Sequence, residues 1–165
     1  MRLNIGGGGE VYSDCINLEL TRERDNKVDI LCDIRKEKLP FKDDSIDEVI
    51  FMHVIEHIEL KYHRFVLDEI WRVLKPDHRL IMAFPDFIEC VKAFLENRYG
   101  KRWDLYHWAI FGRQDGTGDY HVSAIERRDI TSKLINSGFV NIKWIQDTIN
   151  ATITCYKGEK LDEHL

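Results

Sequence analysis

The chain has 165 residues, of which 44% are hydrophobic and 32% charged, and its formal net charge is −5. These values fit one soluble globular domain with a real core, and they exclude a disordered or fibrous chain. The acidic balance argues against a general nucleic-acid binder, which needs Lys and Arg for phosphate contacts. Arg22, Arg24, Arg35, Lys36 and Lys38 lie close enough in sequence to form a local basic patch.

In chain order, Leu3 to Ile5 reads as a short buried strand that runs into Gly6-Gly7-Gly8-Gly9. Cys15 to Leu20 is a second strand, and Val28 to Ile34, rich in Val, Ile and Leu, a third. Glu48 to His53 is a fourth, introduced by the turn-like run Lys42-Asp43-Asp44-Ser45. Phe65, Val66, Ile70, Val73 and Leu74 recur at helical spacing, which predicts an amphipathic helix from about 61 to 74, with Pro76 just past its end. Leu80 to Phe84 is a fifth strand, and Asp86 is a cap candidate for a helix over about 87 to 97. Residues 99 to 124 read as irregular, with several glycines and many aromatics. Arg128 to Ser137 is a helix stopped by Gly138, and Asn141 to Asp147 and Ala151 to Tyr156 are two final strands, paired as a hairpin. A domain over 1–157 is expected, followed by a polar tail over 158–165.

Cys15, Cys32, Cys90 and Cys155 are widely and irregularly spaced with no CxxC pair, so reduced, buried thiols are expected rather than a disulfide framework or a cysteine-rich zinc site. No apolar run approaches the roughly 20 residues that span a bilayer. Met1 to Ile5 lacks a signal-peptide apolar region, which makes the cytoplasm the expected location.

Alternating strands and helices imply a mostly parallel sheet, and such sheets bind ligands at the carboxyl ends of their strands. The glycine run, Asp33, His53 and Pro85-Asp86 all fall at such ends. Glycines there let a backbone approach a ligand that a Cβ would exclude. Dinucleotide binding is one alternative, but its GxGxxG pattern needs a third glycine where this chain has Val11, and only ten residues separate Ile5 from Ile16, too few for a comfortable crossover helix. Glu19, closing the second strand, can accept both hydroxyls of a ribose. Asp33, closing the third, can accept from an adenine amino group. Loop and acids together describe a nucleoside pocket.

The stretch Leu39-Pro40-Phe41-Lys42-Asp43-Asp44-Ser45-Ile46-Asp47 is followed by His53-Val54-Ile55-Glu56-His57-Ile58 and then by Glu69-Ile70-Trp71-Arg72-Val73-Leu74-Lys75-Pro76. This series resembles the class I S-adenosylmethionine-dependent methyltransferases. Leu3-Asn4-Ile5-Gly6-Gly7-Gly8 and Asn17-Leu18-Glu19 resemble the opening segments of a compact subgroup. The likeness covers residues 3 to 87 well and continues faintly to Gly138-Phe139. It implies a Rossmann-like α/β fold: a mostly parallel sheet of about seven strands with flanking helices and an antiparallel C-terminal strand. It also implies S-adenosyl-L-methionine as cofactor, with Gly6, Gly7 and Gly8 facing its methionine part, Glu19 at the ribose, Asp33 at adenine, and His53, with Glu56 or His57, beside the sulfur.

This chain departs from the family pattern in three ways. Glu19 stands where Asp is usual. Pro76-Asp77-His78 replaces a Pro-Gly-Gly turn, and Asp tolerates the positive φ that a glycine would have supplied. The chain also begins almost at the first strand, which predicts a site that is unusually open or completed by another subunit of a homo-oligomer.

His53-Val54-Ile55-Glu56-His57 also fits the zinc-peptidase pattern H-x-x-E-H, but that chemistry needs the motif inside one helix, and here the first histidine ends a strand. No metal is therefore expected. His57 has two readings, packing beneath the following helix or a chemical role. The segment from Trp103 to His121 is either a substrate-recognition loop, with Trp108, Phe111, Gln114 and Tyr120 as contacts, or a satellite core. If the acceptor must lose a proton, His53 or His121 is the candidate base. The expected function is methyl transfer to a small-molecule or sugar-like acceptor, with no nucleic-acid or membrane partner. A methyltransferase-like binding or regulatory protein without catalysis is the alternative reading, and a nicotinamide-dependent reductase is a third.

Overall fold

The computed structural model describes residues 1–8, 10–21, 28–114 and 119–159. Gly9, Arg22, Arg24, Asp115 and the tail beyond Glu159 lie outside the described residues. Within them, seven strands form one sheet: β1 (Arg2–Ile5), β2 (Cys15–Glu19), β3 (Ile30–Leu31), β4 (Ile46–Met52), β5 (Leu74–Pro85), β6 (Phe139–Asp147) and β7 (Asn150–Lys157). Their order is β3-β2-β1-β4-β5-β7-β6. The first five pair in parallel, and β7 runs antiparallel between β5 and β6. The helices are α1 (Leu60–Val73), α2 (Phe87–Leu95), α3 (Trp103–Phe111) and α4 (Arg127–Asn136), and Ile55–His57 forms a single 3₁₀ turn. The expected Rossmann-like sheet with an antiparallel C-terminal strand is what the chain forms.

Register separates the two faces of the sheet. Leu3, Val49, Leu80 and Cys155 align in one row, and Phe51, Met82 and Ile153 in the next row of the same face. Val66, Leu67, Ile70 and Val73 of α1 and Ile130 and Leu134 of α4 join those rows in one buried core. Each such aliphatic chain contributes roughly 1.5–3 kcal/mol on burial. The opposite face carries Arg2, Glu48 and Arg79 on adjacent strands. Glu48 is buried between the two guanidiniums, accepting from Arg2 Nε at 2.7 Å and from Arg79.

Besides β5, which begins at Leu74 rather than Leu80, two elements differ from expectation. Residues 103–111 are helical rather than irregular. Apolar side chains occupy nearly every position of α3, so no polar stripe reveals its period. Its order comes from α2: Phe94 packs edge-on against Trp103 and Tyr106, and the Tyr106 hydroxyl donates to the Ala93 carbonyl at 3.2 Å. Second, β3 pairs over only two residues, because its partners are confined to Leu18 and Glu19 at the end of β2. Asp77 takes φ 62° in the irregular stretch where β5 shifts register against β4, as its replacement of a glycine implied. All four cysteines are free and buried, and burial pushes the Cys90 and Cys155 thiols up to about 12.

The Glu69-to-Pro76 motif is a clamp. The Glu69 carboxylate accepts from the Leu39 N–H at 2.9 Å and from Arg72 Nε and Nη2 at 2.9 and 2.8 Å. Arg72 donates in turn to the Leu39 and Phe41 carbonyls, both at 2.9 Å, and to Asp43 at 2.7 Å. Lys157 closes the arrangement from β7, bonding Asp44 at 2.6 Å with its ammonium 4.0 Å from the Trp71 ring centroid.

Replacing Arg72 by Met should leave Glu69 buried without its cation and cost about 2–4 kcal/mol, the lower part of the range for breaking a buried pair because Arg72 is partly solvated. Urea unfolding measures this. Burial alone would raise the Glu69 pKa, but Arg72 and the Leu39 N–H outweigh it, and the net shift is downward. The clamp's contribution is therefore complete above the ordinary carboxylate range and is lost as pH falls below about 4. Glu69→Gln should flatten that acid limb of the stability profile.

Candidate functional site

Because β1, β4 and β5 are parallel, their carboxyl ends share one edge of the sheet. The glycine run leaves β1 there with φ 67° at Gly6 and 58° at Gly8. A Cβ on Gly6 would lie 2.8 and 2.9 Å from the two methyls of Val54, just beyond β4. One on Gly7 would lie 2.4 Å from both Asn4 Nδ2 and the Glu10 carbonyl. Asn4, buried within β1, donates to the Glu10 carbonyl at 2.9 Å and to Asn17 Oδ1 at 3.0 Å. Asn17 donates to the Tyr12 carbonyl at 3.2 Å. The loop is thus folded back on two buried amides, and the space that side chains at Gly6 and Gly7 would take is filled by Val54, Asn4 and Glu10.

Glu19 ends β2 beside this loop, and its Oε1 accepts from the Gly8 N–H at 2.8 Å. Asp33 follows β3. Its two oxygens accept from Arg35 Nε and Nη2 at 2.7 and 2.9 Å, and Lys36 lies at 3.2 Å. The hydrogen bonds from Arg35, outweighing burial, hold this carboxyl well below the usual carboxylate range. Two acids and the glycine loop therefore line one edge, and Asp33 is engaged by its own turn.

His53 follows β4 with φ 54°. Its Nδ1 lies 3.3 Å from Glu56 Oε1, and that hydrogen bond raises the pKa of the half-exposed imidazole. Glu56 is only 2% exposed, and its second oxygen, Oε2, has no hydrogen-bond partner among the described residues. His57 Nδ1 bonds the Tyr120 carbonyl at 2.9 Å, and His121 Nδ1 bonds the Ala109 carbonyl at 3.2 Å. The two rings meet edge to face at 4.9 Å between centroids. Their Nε2 atoms lie 3.7 and 4.0 Å from Asp119 Oδ1. Burial lowers the pKa of His121. The Val122 and Ser123 N–H groups both donate to the Glu56 carbonyl, at 2.9 and 3.1 Å, which fixes this segment against the 3₁₀ turn.

His57 thus faces the site rather than packing under α1; the histidine buried in α1 is His63, whose Nε2 bonds the Ile58 carbonyl at 2.9 Å. Trp108 and Phe111 lie on α3 and are about half exposed, as is Tyr120. Gln114 is exposed just past α3 and donates to the Phe111 carbonyl at 3.3 Å. Sequence reasoning missed Asn4, whose amide shapes the loop, and Asp119, which meets both imidazoles. The spacing of Asn4 two residues before the first glycine and of Asp119 two before His121 was the available signal.

Residues 10–82 match a family described as "Methyltransferase domain". No curated protein matches the sequence. Among solved structures, an S-adenosylmethionine-dependent methyltransferase from Archaeoglobus fulgidus aligns with TM-score 0.64 at 12% identity, over 94% of this chain and 85% of that one. One from Thermotoga maritima aligns with TM-score 0.63 at 15% identity, over 94% and 81%. Human N-acetylserotonin methyltransferase in complex with S-adenosylmethionine aligns with TM-score 0.57 at 17% identity, over 96% of this chain but 47% of that one. At such identities the alignments establish a shared fold. With that fold, the match over residues 10–82 and a glycine loop at the end of β1, the chain is similar to the class I S-adenosylmethionine-dependent methyltransferases.

Proposed function

We propose that the chain transfers the methyl group of S-adenosylmethionine to a small-molecule or sugar-like acceptor. The observation that carries this reading is the glycine loop at the end of β1, packed too closely on Val54, Asn4 and Glu10 for any side chain and bonded at Gly8 by the Glu19 carboxylate, at the sheet edge where parallel strands bind ligands. The bound cofactor supplies a methyl group activated by its sulfonium, so the protein's part is alignment and water exclusion. In this reading Gly6, Gly7 and Gly8 pass their backbone along the methionine part. Glu19 accepts from the ribose hydroxyls. Asp33, kept ionised by Arg35, accepts from the adenine amino group with its remaining lone pairs. His53 lines the cofactor beside the loop.

The acceptor side is formed by α3 and the segment after it, with Trp108, Phe111, Gln114 and Tyr120 as contacts. A shallow crevice lined by Glu56, Pro85, Phe87, Ala109, His121 and Ser123 adjoins them. Of the two histidines proposed as bases, His121 is the better supported. Burial favours its neutral form, and the bond from Nδ1 to Ala109 leaves the Nε2 lone pair available. The Glu56 hydrogen bond favours the protonated form of His53, which suits it to hold Glu56 rather than to serve as a free base. The net charge of −5 favours a small acceptor over a polyphosphate.

Glu19→Ala should weaken S-adenosylhomocysteine about 10–100-fold in calorimetry, the loss of two hydrogen bonds to a charged acceptor. Gly6→Ala should abolish measurable binding, and Gly6→Ala combined with Val54→Ala should restore part of it, because the second change removes the methyls that the new Cβ meets. His121→Ala should lower turnover of a hydroxyl acceptor by about 10²–10⁴ without changing S-adenosylhomocysteine affinity. Failure of the wild-type chain to bind S-adenosylhomocysteine would remove the reading altogether.

A further inference from the structure

We infer that Glu56, His57 and His121 form a binding site for one divalent metal ion of the kind that imidazole and carboxylate ligands take, such as zinc. One ligand atom from each of the three residues lies within 4.8 Å of the others. The arrangement has the parts a metal site needs. Both histidines have Nδ1 committed to a backbone carbonyl, Tyr120 for His57 and Ala109 for His121. That bond fixes the tautomer with hydrogen on Nδ1 and directs an Nε2 lone pair inward, which is how metal-bound histidines are oriented by their surroundings. Glu56 brings a carboxylate that is 2% exposed, with Oε1 held by His53 and Oε2 lacking a hydrogen-bond partner among the described residues. A buried carboxylate oxygen left bare is costly unless something positive meets it. Asp119 stands 3.7 and 4.0 Å from the two Nε2 atoms and adds a second negative charge.

Ligand atoms about 2.0–2.2 Å from a tetrahedral zinc lie roughly 3–3.5 Å apart, so groups now within 4.8 Å need to close by up to about 1.5 Å. Three protein ligands leave a coordination position for a water or a substrate oxygen. The motif His53-Val54-Ile55-Glu56-His57 thus offers metal ligands without lying in one helix: Glu56 and His57 come from the 3₁₀ turn and His121 from beyond α3. On the methyl-transfer reading, on which this consequence alone rests, such an ion would take an acceptor hydroxyl. The hydroxyl proton leaves to solvent, an oxygen lone pair forms the bond to the methyl carbon, and the carbon–sulfur pair stays on sulfur as the thioether. In that state His121 holds the ion, and the ion rather than the imidazole promotes deprotonation.

The test is titration of Zn²⁺ into tag-free full-length protein stripped with a chelator, followed by calorimetry and thermal unfolding. One ion per chain is expected, together with a rise in Tm. Glu56→Gln, His57→Ala and His121→Ala should each weaken binding by at least about 10–100-fold, the range already seen when only the outer partners of metal ligands are lost. Asp119→Asn should weaken it less. His78→Ala, a surface imidazole where β5 shifts register against β4, should leave it unchanged. No stoichiometric ion on folded wild-type protein overturns the proposal. So does an ion bound equally well by Glu56→Gln and His121→Ala. S-adenosylhomocysteine titrated into the metal-free protein reports on the cofactor reading separately, so either can fail alone.

Discussion

The site depends on two backbones meeting more closely than side chains permit. Gly6 leaves β1 in a left-handed conformation and passes within contact distance of Val54, which follows β4. That approach brings the glycine loop against the segment that carries His53, Glu56 and His57. Parallel pairing of β1 with β4 makes the meeting unavoidable, because both strands end on the same edge. A side chain at Gly6 would push the two segments apart and separate the glycine loop from the histidines. The loop and the imidazole cluster are therefore one region, assembled from connections that are distant in sequence.

Much of the conspicuous sequence motif around this region supports rather than reacts. Glu69, Arg72 and Lys157 bind the Leu39-to-Asp44 turn to α1 and to the last strand. This turn leads directly into β4, so its position sets where β4 begins and hence where His53 ends it. Glu48, held between Arg2 and Arg79, fixes the same strand from the other face. Charges in these places act on register, and the candidate site residues inherit their positions from it.

The strands, α1, α4 and the glycine loop could be read from the residues because each has a local cause. Buried strands are runs of Val, Ile and Leu, and α1 has an apolar stripe broken by Pro76. The positive φ at Asp77 followed from the residue that replaces glycine in the turn. What could not be read depends on contacts between distant segments. The helix α3 has no polar stripe, and its partners are Phe94 and Ala93 on another helix. The pairing of His57 with His121 needs the bonds from Val122 and Ser123 to Glu56, which no spacing announces. The engagement of Asp33 by Arg35 was likewise hidden, although the two lie two residues apart, because the turn between them is what brings the guanidinium back.

The connection from β1 to β2 is only the nine residues 6–14, and it has no helix among its described residues. It is nevertheless tied at Gly6, Gly8, Glu10 and Tyr12, by Leu18, Glu19, Asn4 and Asn17 in turn. Every one of those anchors belongs to β1 or β2. A ligand arriving here meets a backbone whose torsional freedom was surrendered when the sheet formed, so little further ordering entropy is lost on association. The folding free energy of two short strands thereby contributes to the affinity of the loop that they flank.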